Sequence, residues 1–186
     1  MYGDDLLIGE KIRLTAITRD DLPAFLRWMN SMEIRRLLGQ EQAIPFNMED
    51  QTGWYEQSNK KPAQRPMAIR TLEDNTLIGN CGVMQVNHAA RHCMVGIVIG
   101  EREYWGRGYG SDALNVLLRY IFMEMNLNRV GLEVYSYNTR AIKAYAKVGF
   151  VQEGVLREMV LRDGDYYDMH IMGILHREWL AKNADR

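Results

Sequence analysis

The stretch Tyr104-Trp105-Gly106-Arg107-Gly108-Tyr109-Gly110-Ser111 restricts this chain more than any other, because of the two segments it joins. Ahead of it, Cys93-Met94-Val95-Gly96-Ile97-Val98-Ile99 is apolar and β-branched; behind it, Leu114, Leu117, Leu118, Ile121 and Met125 recur at helical spacing. A strand enters and a helix leaves. The periodicity carries that helix from Ser111 to Leu127, where Asn128 suits a left-handed C-cap. Glycines at alternate positions remove side chains where the backbone must turn, and they bare amide hydrogens at a helix N-terminus bearing about half a positive charge. Such a place binds phosphate. Arg107 either adds a full charge there or points into solvent, and the loop taken alone also reads as a plain glycine-rich turn. Two rival phosphate motifs fail locally. No Gly-Lys-Ser/Thr follows the glycines, and Gly106-x-Gly108-x-Gly110 has neither the dinucleotide spacing nor an acidic residue at the expected distance.

A second motif, Asn138-Thr139-Arg140-Ala141-Ile142-Lys143-Ala144-Tyr145-Ala146-Lys147-Val148-Gly149-Phe150, follows another β-like run from Val130 to Tyr135. Together the two motifs resemble the GNAT acyl-CoA N-acyltransferases, in which a (Gln/Arg)-x-x-Gly-x-(Gly/Ala) pyrophosphate loop precedes an Asn-x-x-Ala-x-x-x-Tyr-x-Lys-x-Gly-Phe helix. The resemblance runs from about Ile78 to Trp179, and order, spacing and intervening strand match as a set. The later pattern Glu153-Gly154, Arg157, Asp163-Gly164, Asp168, Met172-Gly173 is similar to the branch acting on ribosomal-protein N-termini, polyamines, amino sugars and antibiotics. The resemblance implies an α/β (α+β) fold, with a mixed, strongly twisted, mostly antiparallel sheet of six or seven strands and flanking helices. At its centre Cys93–Ile99 and Arg129–Tyr135 would be parallel neighbours that splay apart, with the glycine-loop helix as their crossover. The implied activity is acetyl-CoA-dependent N-acetyltransfer, direct, to a primary amine of a small molecule or of a peptide or protein N-terminus. The alternative is a non-catalytic acyl-CoA-binding or sensing domain of the same fold.

The same resemblance assigns roles. Trp105, Gly106, Arg107, Gly108, Tyr109, Gly110 and Ser111 would hold the cofactor pyrophosphate, with the pantetheine arm beside Ile97, Val98 and Ile99. Asn138, Ala141, Tyr145 and Lys147 would be further cofactor contacts. A backbone amide within Val95 to Ile97 would receive the developing oxyanion. The Tyr145 hydroxyl would protonate the departing thiolate, which a phenol protonated at neutral pH can do. On spacing alone Ala141, Ile142, Tyr145 and Val148 share one helical face, so Tyr145 also reads as a core aromatic. Trp105 stands where the family loop often has Gln or Arg, and Met94 stands where many relatives have a glutamate base. Met cannot accept a proton. The base is then Glu101, Glu103, Glu133, His88 or an ordered water chain. At pH 7 an α-amine of pKa about 7.8 is roughly 10–15% neutral, against about 0.04% for a lysine-type amine, a difference of about 3.5 kcal/mol. A site without a strong base therefore suits α-amines and other low-pKa amines.

The rest of the chain bounds the reading. A length of 186 residues with 47% hydrophobic residues suits one domain over 1–186. A net charge of −1 points to small molecules or peptides rather than nucleic acid or an anionic membrane. The start Met1-Tyr2-Gly3-Asp4-Asp5 lacks a basic region ahead of an apolar run, so a cytoplasmic protein is expected. Cys81 and Cys93 have no ligand-type neighbours and read as buried free thiols, with no metal site. Lys11 to Ile17 alternates as a first strand. Thr18 with Asp21 caps a helix over 19–29 carrying Leu22, Phe25, Leu26 and Met29, and a short helix holds Ile34, Leu37 and Leu38. Asn47 with Asp50 caps another from Met48 to Gln57. In the resembled family these helices wall the acceptor side, which makes Trp54, Tyr55, Glu49 and Arg36 candidate acceptor contacts as well as candidate packing residues. A polar connection including Lys61 leads to strands at Met67–Arg70 and Leu77–Val86, where Gly79 and Gly82 mark bulges or close backbone approach. Val155 to Arg162, an Asp163-Gly164-Asp165 turn and Tyr166 to Leu175 form a hairpin, which either closes its own sheet or pairs with a second subunit in a homodimer. A helix with Trp179 and Leu180 ends the chain.

Overall fold

The computed structural model describes residues 5–39, 44–60 and 62–184, so Met1–Asp4, Lys61 and residues 40–43 of the acceptor-side loop lie outside it. In chain order the elements are β1 (Ile12–Ala16), α1 (Leu22–Met29), α2 (Met32–Leu37), α3 (Met48–Asn59), β2 (Met67–Thr71), β3 (Leu77–Asn87), β4 (His92–Ile99), α4 (Tyr109–Arg119), β5 (Arg129–Tyr135), α5 (Thr139–Val148), β6 (Val151–Arg162), β7 (Asp165–Leu175) and α6 (His176–Lys182). Seven strands form one sheet in the order β1-β2-β3-β4-β5-β7-β6. The β4–β5 pair is parallel, and every other pair is antiparallel.

That parallel pair is short. His92, Cys93 and Met94 face Arg129, Val130 and Gly131, and beyond Met94 the strands separate while β4 keeps β3 and β5 keeps β7. The gap opens toward the glycine loop at one end of β4 and toward α5 at the end of β5, as the splayed-pair expectation requires. Close approach accounts for Gly79, where an added Cβ would lie 2.0 Å from the Val98 carbonyl oxygen.

Side chains alternate across the sheet, so neighbours on one strand serve different layers. Ile69 belongs to the large core roofed by α4, α5 and α6, with Leu114, Leu117, Leu118, Phe122, Tyr145 and Trp179. Ala68, beside it, belongs to a smaller cluster under α1 and α2 with Phe25, Trp28 and Ile34. The buried aromatics of α1 are Phe25, as expected, and Trp28, while Leu26 and Met29 are half-buried. The Trp28 indole sits against the backbone of Gly100, where an added Cβ would come within 2.1 Å of the ring.

α3 runs two residues past Gln57 to Asn59, residues 19–21 form a 3-10 turn ahead of α1, and the largest departure is in α4. α4 starts two residues earlier, at Tyr109, and gives way at Tyr120–Glu124 to a π-turn. The left-handed residue that follows is Asn126, with φ 52°, rather than Asn128. The extra residue in the wide turn keeps Ile121 and Phe122 buried, so the apolar periodicity runs on although the α-helical hydrogen bonding has stopped. β6 likewise begins at Val151 rather than Val155. The hairpin turn is as expected: Asp163 (φ 52°) and Gly164 (φ 92°) are both left-handed, the geometry an Asp-Gly pair adopts most readily.

Candidate functional site

Between the diverging strands lies a cleft of about 650 Å³, lined by β4 from Val95 to Ile99, the glycine loop, β5 from Glu133 to Tyr135 and the inner face of α5. Gly106 (φ 70°) and Gly108 (φ 89°) hold left-handed conformations, and Gly108 is the N-cap of α4. The first amides of α4, on Tyr109, Gly110 and Ser111, have no acceptor within the helix. Among the described residues no side-chain carboxylate accepts from them. Asp112, the acid of the first turn, faces the other way and accepts the amides of Glu10 (3.1 Å), Lys11 (2.7 Å) and Ile12 (3.1 Å).

α5 forms the opposite wall. Asn138 caps it by accepting the Ala141 amide at 3.3 Å. It ends at Gly149 (φ 122°), whose amide reaches Ala146, while the Phe150 amide reaches Tyr145 at 3.0 Å. This Schellman ending brings the Phe150 ring edge-on to Tyr145, 5.9 Å between centroids. Tyr145 is therefore fixed by packing on one side and lines the cleft on the other. Burial pushes its hydroxyl pKa up to about 12, so it is fully protonated at neutral pH.

Most expected cofactor residues converge on this cleft: Ile97, Val98, Ile99, Trp105, Gly106, Gly108, Gly110, Ser111, Asn138, Ala141, Tyr145 and Lys147 line it. Arg107 and Tyr109 do not. The Arg107 guanidinium turns back to the Glu103 carbonyl at 3.1 Å, and the Tyr109 ring packs edge-on against Tyr104. Of the four side-chain base options only Glu133 lines the cleft. Glu101 is engaged by Arg27 and by the Trp28 indole N–H at 3.0 Å, and Glu103 is exposed beside it. His88 lies in the β3–β4 turn, at the other end of β4 from the glycine loop. Met94 sits where the strands part, its thioether across Gly131, so close that a Cβ there would meet the sulfur at 2.7 Å. Glu133 follows Gly131 by two residues and so shares its sheet face.

The expected acceptor contacts sit elsewhere. Trp54 packs on Phe25 at 5.4 Å, Arg19 lies over the Tyr55 ring, Glu49 is exposed, and Arg36 pairs with Asp163 at 2.9 Å. The residues of the 34–38 region that line the cleft are Ile34 and Leu37 of α2 and its C-cap Leu38, with Tyr135 of β5. Arg140 and Lys143 were missed as cleft residues. Their signal is the 140, 143, 147 spacing, which places three cations on one face of α5. Among the described residues no group of three or more His, Cys, Asp or Glu could hold a metal ion, and no helix is long and apolar enough to cross a membrane.

Comparison with known proteins agrees with this geometry. Over 92% of this chain and 93% of its own length, the SPbeta prophage-derived N-acetyltransferase YokL of Bacillus subtilis is 27% identical. The spermidine N(1)-acetyltransferase of Vibrio cholerae is 27% identical over 95% of this chain and 99% of its own. The crystal structure of the Vibrio cholerae spermidine N-acetyltransferase with CoA and spermine superposes with a TM-score of 0.82, covering 91% of this chain and 98% of that one. The profile of the acetyltransferase (GNAT) domain matches residues 11–151, three quarters of the chain, and the chain belongs to the GNAT acetyltransferase family.

Proposed function

We propose that this acetyl-CoA-dependent N-acetyltransferase acts on a primary monoamine, either a small molecule or a peptide or protein N-terminal α-amine, rather than on a polyamine. The observation carrying this reading is the charge of the cleft: among the described residues that line it, Arg140, Lys143 and Lys147 are cations and Glu133 is the one carboxylate. The cations suit the cofactor's phosphates. A polyamine would bring several ammonium groups to a lining with one carboxylate among its described residues, whereas an α-amine needs one proton acceptor and no further counter-charge.

In this reading the loop amides from Gly106 to Ser111 hold the pyrophosphate, and pantetheine lies along the edge of β4 that β5 leaves uncovered past Met94. The neutral amine attacks the thioester carbon, and the C–N bond forms as the carbonyl oxygen gains charge. An amide of Val95 to Ile97 donates to that oxygen. Collapse breaks the C–S bond, and Tyr145 gives its proton to the thiolate. The ammonium proton leaves toward Glu133 or water.

The test is free-thiol release from acetyl-CoA across spermidine, an amino sugar and short peptides with free N-termini. At pH 7 the peptides should exceed spermidine in kcat/KM by about tenfold or more, given the larger neutral fraction of an α-amine. A preference for spermidine would overturn the acceptor class while leaving acetyl transfer intact.

A further inference from the structure

Arg140 and Trp105 meet across the mouth of the cleft. Trp105 opens the glycine loop and is pinned to β4 by its indole N–H, which donates to the Ile99 carbonyl at 2.6 Å. Arg140 is the second residue of α5, on the opposite wall, and its guanidinium carbon stands 3.6 Å from the Trp105 ring centroid. A guanidinium that close lies against the ring and keeps its N–H edge for in-plane partners. Among the described residues no carboxylate is within ion-pair distance of it. The nearby acid, Glu33, is paired with Arg102.

From this we infer that Arg140, held flat on Trp105, is a second-wall clamp for the cofactor pyrophosphate, contacting from α5 the phosphates that the loop amides hold from α4. The inference rests on the cleft being the CoA site. Trp105 then has a physical role where a Gln or Arg would otherwise start the loop: it supplies no charge itself and instead orients a charge from the other wall. Stacking removes rotamer freedom from the arginine before the ligand arrives, so less is lost on binding. Lys143 and Lys147 continue the positive stripe along the same helix face.

The experiment is calorimetric titration of wild type, Arg140→Ala, Arg140→Lys and Trp105→Ala with CoA and with 3′-dephospho-CoA, circular dichroism confirming that each variant is folded. Arg140→Ala should raise Kd by about 10–100-fold, the loss expected for a charge-assisted phosphate contact, and by the same factor for both ligands. Arg140→Lys keeps the charge without the planar stack and should fall between. Trp105→Ala should weaken both ligands, and its combination with Arg140→Ala should cost less than the two losses summed, because the tryptophan acts through the arginine. KM for acetyl-CoA should rise with kcat nearly unchanged. A penalty confined to CoA would place Arg140 on the 3′-phosphate and overturn the proposal, as would unchanged affinity in folded Arg140→Ala. Absence of CoA binding by wild type would instead remove the CoA site itself, a separately visible failure.

Discussion

Tyr145 shows how a side chain can satisfy a structural and a chemical reading at once. Its ring is C-terminal packing for α5, and its hydroxyl faces the cleft. A phenol at pKa about 12 is a weak acid for an ordinary thiol, whose thiolate takes protons only near 8.5. A thiolate leaving inside this protein is not in ordinary surroundings, however. Burial alone pushes the thiols of Cys81 and Cys93, in the adjoining core, up to about 12 as well. Partial desolvation of a departing thiolate would raise its proton affinity in the same direction and narrow the gap to the phenol, which favours the transfer proposed for Tyr145. Tyr145→Phe keeps the ring and should lower kcat by about 10²–10⁴-fold with CoA binding nearly unchanged. The wild-type kcat/KM should climb as an α-amine deprotonates near pH 8 and then stay level to pH 10, because a hydroxyl titrating near 12 is still protonated there. A descending limb near pH 9 to 10 that vanishes in Tyr145→Phe would contradict the buried-acid assignment. At this scale the sequence was informative where a residue's chemistry is tied to a fixed spacing, as with Asn138 and Gly149. It left Glu133 as one of four side-chain choices for the base, and it was silent on Arg140, whose ring partner lies across the cleft.

Elements were legible when local chemistry ended them. The capping box of Asn47 with Asp50, the Schellman ending of α5 and the Asp163-Gly164 turn each satisfy their own backbone within a few residues, so sequence and structure agree. α4 differs because its end is set by tertiary contacts. The apolar run from Leu114 to Met125 continues through a π-turn without a break in burial, and only the hydrogen bonding reveals the change. Its beginning is also tertiary. Asp112 draws the amides of residues 10–12 onto the first turn, while Arg119 on the last turn donates to the carbonyls of Asp5 (2.8 Å), Leu6 (3.0 Å) and Ile8 (2.5 Å). The helix therefore straps the segment before β1 at both ends. Gly9 completes the junction, since a Cβ there would come within 2.5 Å of the Asp112 carboxylate. Asp112→Ala leaves three amides without their acceptor and should destabilise the protein by about 2–3 kcal/mol. In a chain of this size that is a fall in Tm of roughly 5–10 °C, measurable by scanning calorimetry. A change under about 1 °C would mean that water replaces the carboxylate and the strap is incidental.

Across the whole molecule, two strand pairings were readable, one from the crossover and one from the hairpin, while the place of the hairpin in the sheet was left open. A strand, a helix and a second strand make a parallel pair, and a two-residue turn makes β6 and β7 neighbours. The insertion of β7 between β5 and β6 carries a further mark: Glu153 on β6 reaches over Gly173 on β7 to a two-pronged pair with Arg129 on β5. Only glycine leaves that path open, so the Glu153 and Gly173 of the sequence pattern belong to one contact. What no local pattern could show is how the core as a whole holds its titratable groups. Cys81 on β3, Cys93 on β4 and Tyr145 on α5 all lie in the large core, and burial raises each to about 12, from 9.0 for the thiols and 10.0 for the phenol. The sign follows from which state keeps its protons. Below about pH 7.5 both folded and unfolded chains hold them, so these groups leave stability independent of pH there. Between about 7.5 and 12 the unfolded chain releases them while the native core does not, and stability falls as pH rises, by up to about 1.4 kcal/mol per pH unit for each group. Urea midpoints at pH 6, 7.5, 9 and 10.5 should therefore be level over the first interval, begin to fall over the second as the unfolded thiols ionise, and drop most steeply over the third. Cys81→Ala with Cys93→Ala should be less stable at pH 7, because buried volume is lost, yet show a shallower alkaline decline. A double variant whose midpoint falls as steeply as wild type between pH 9 and 10.5 would show that exposed groups, rather than the buried thiols, govern the alkaline limit.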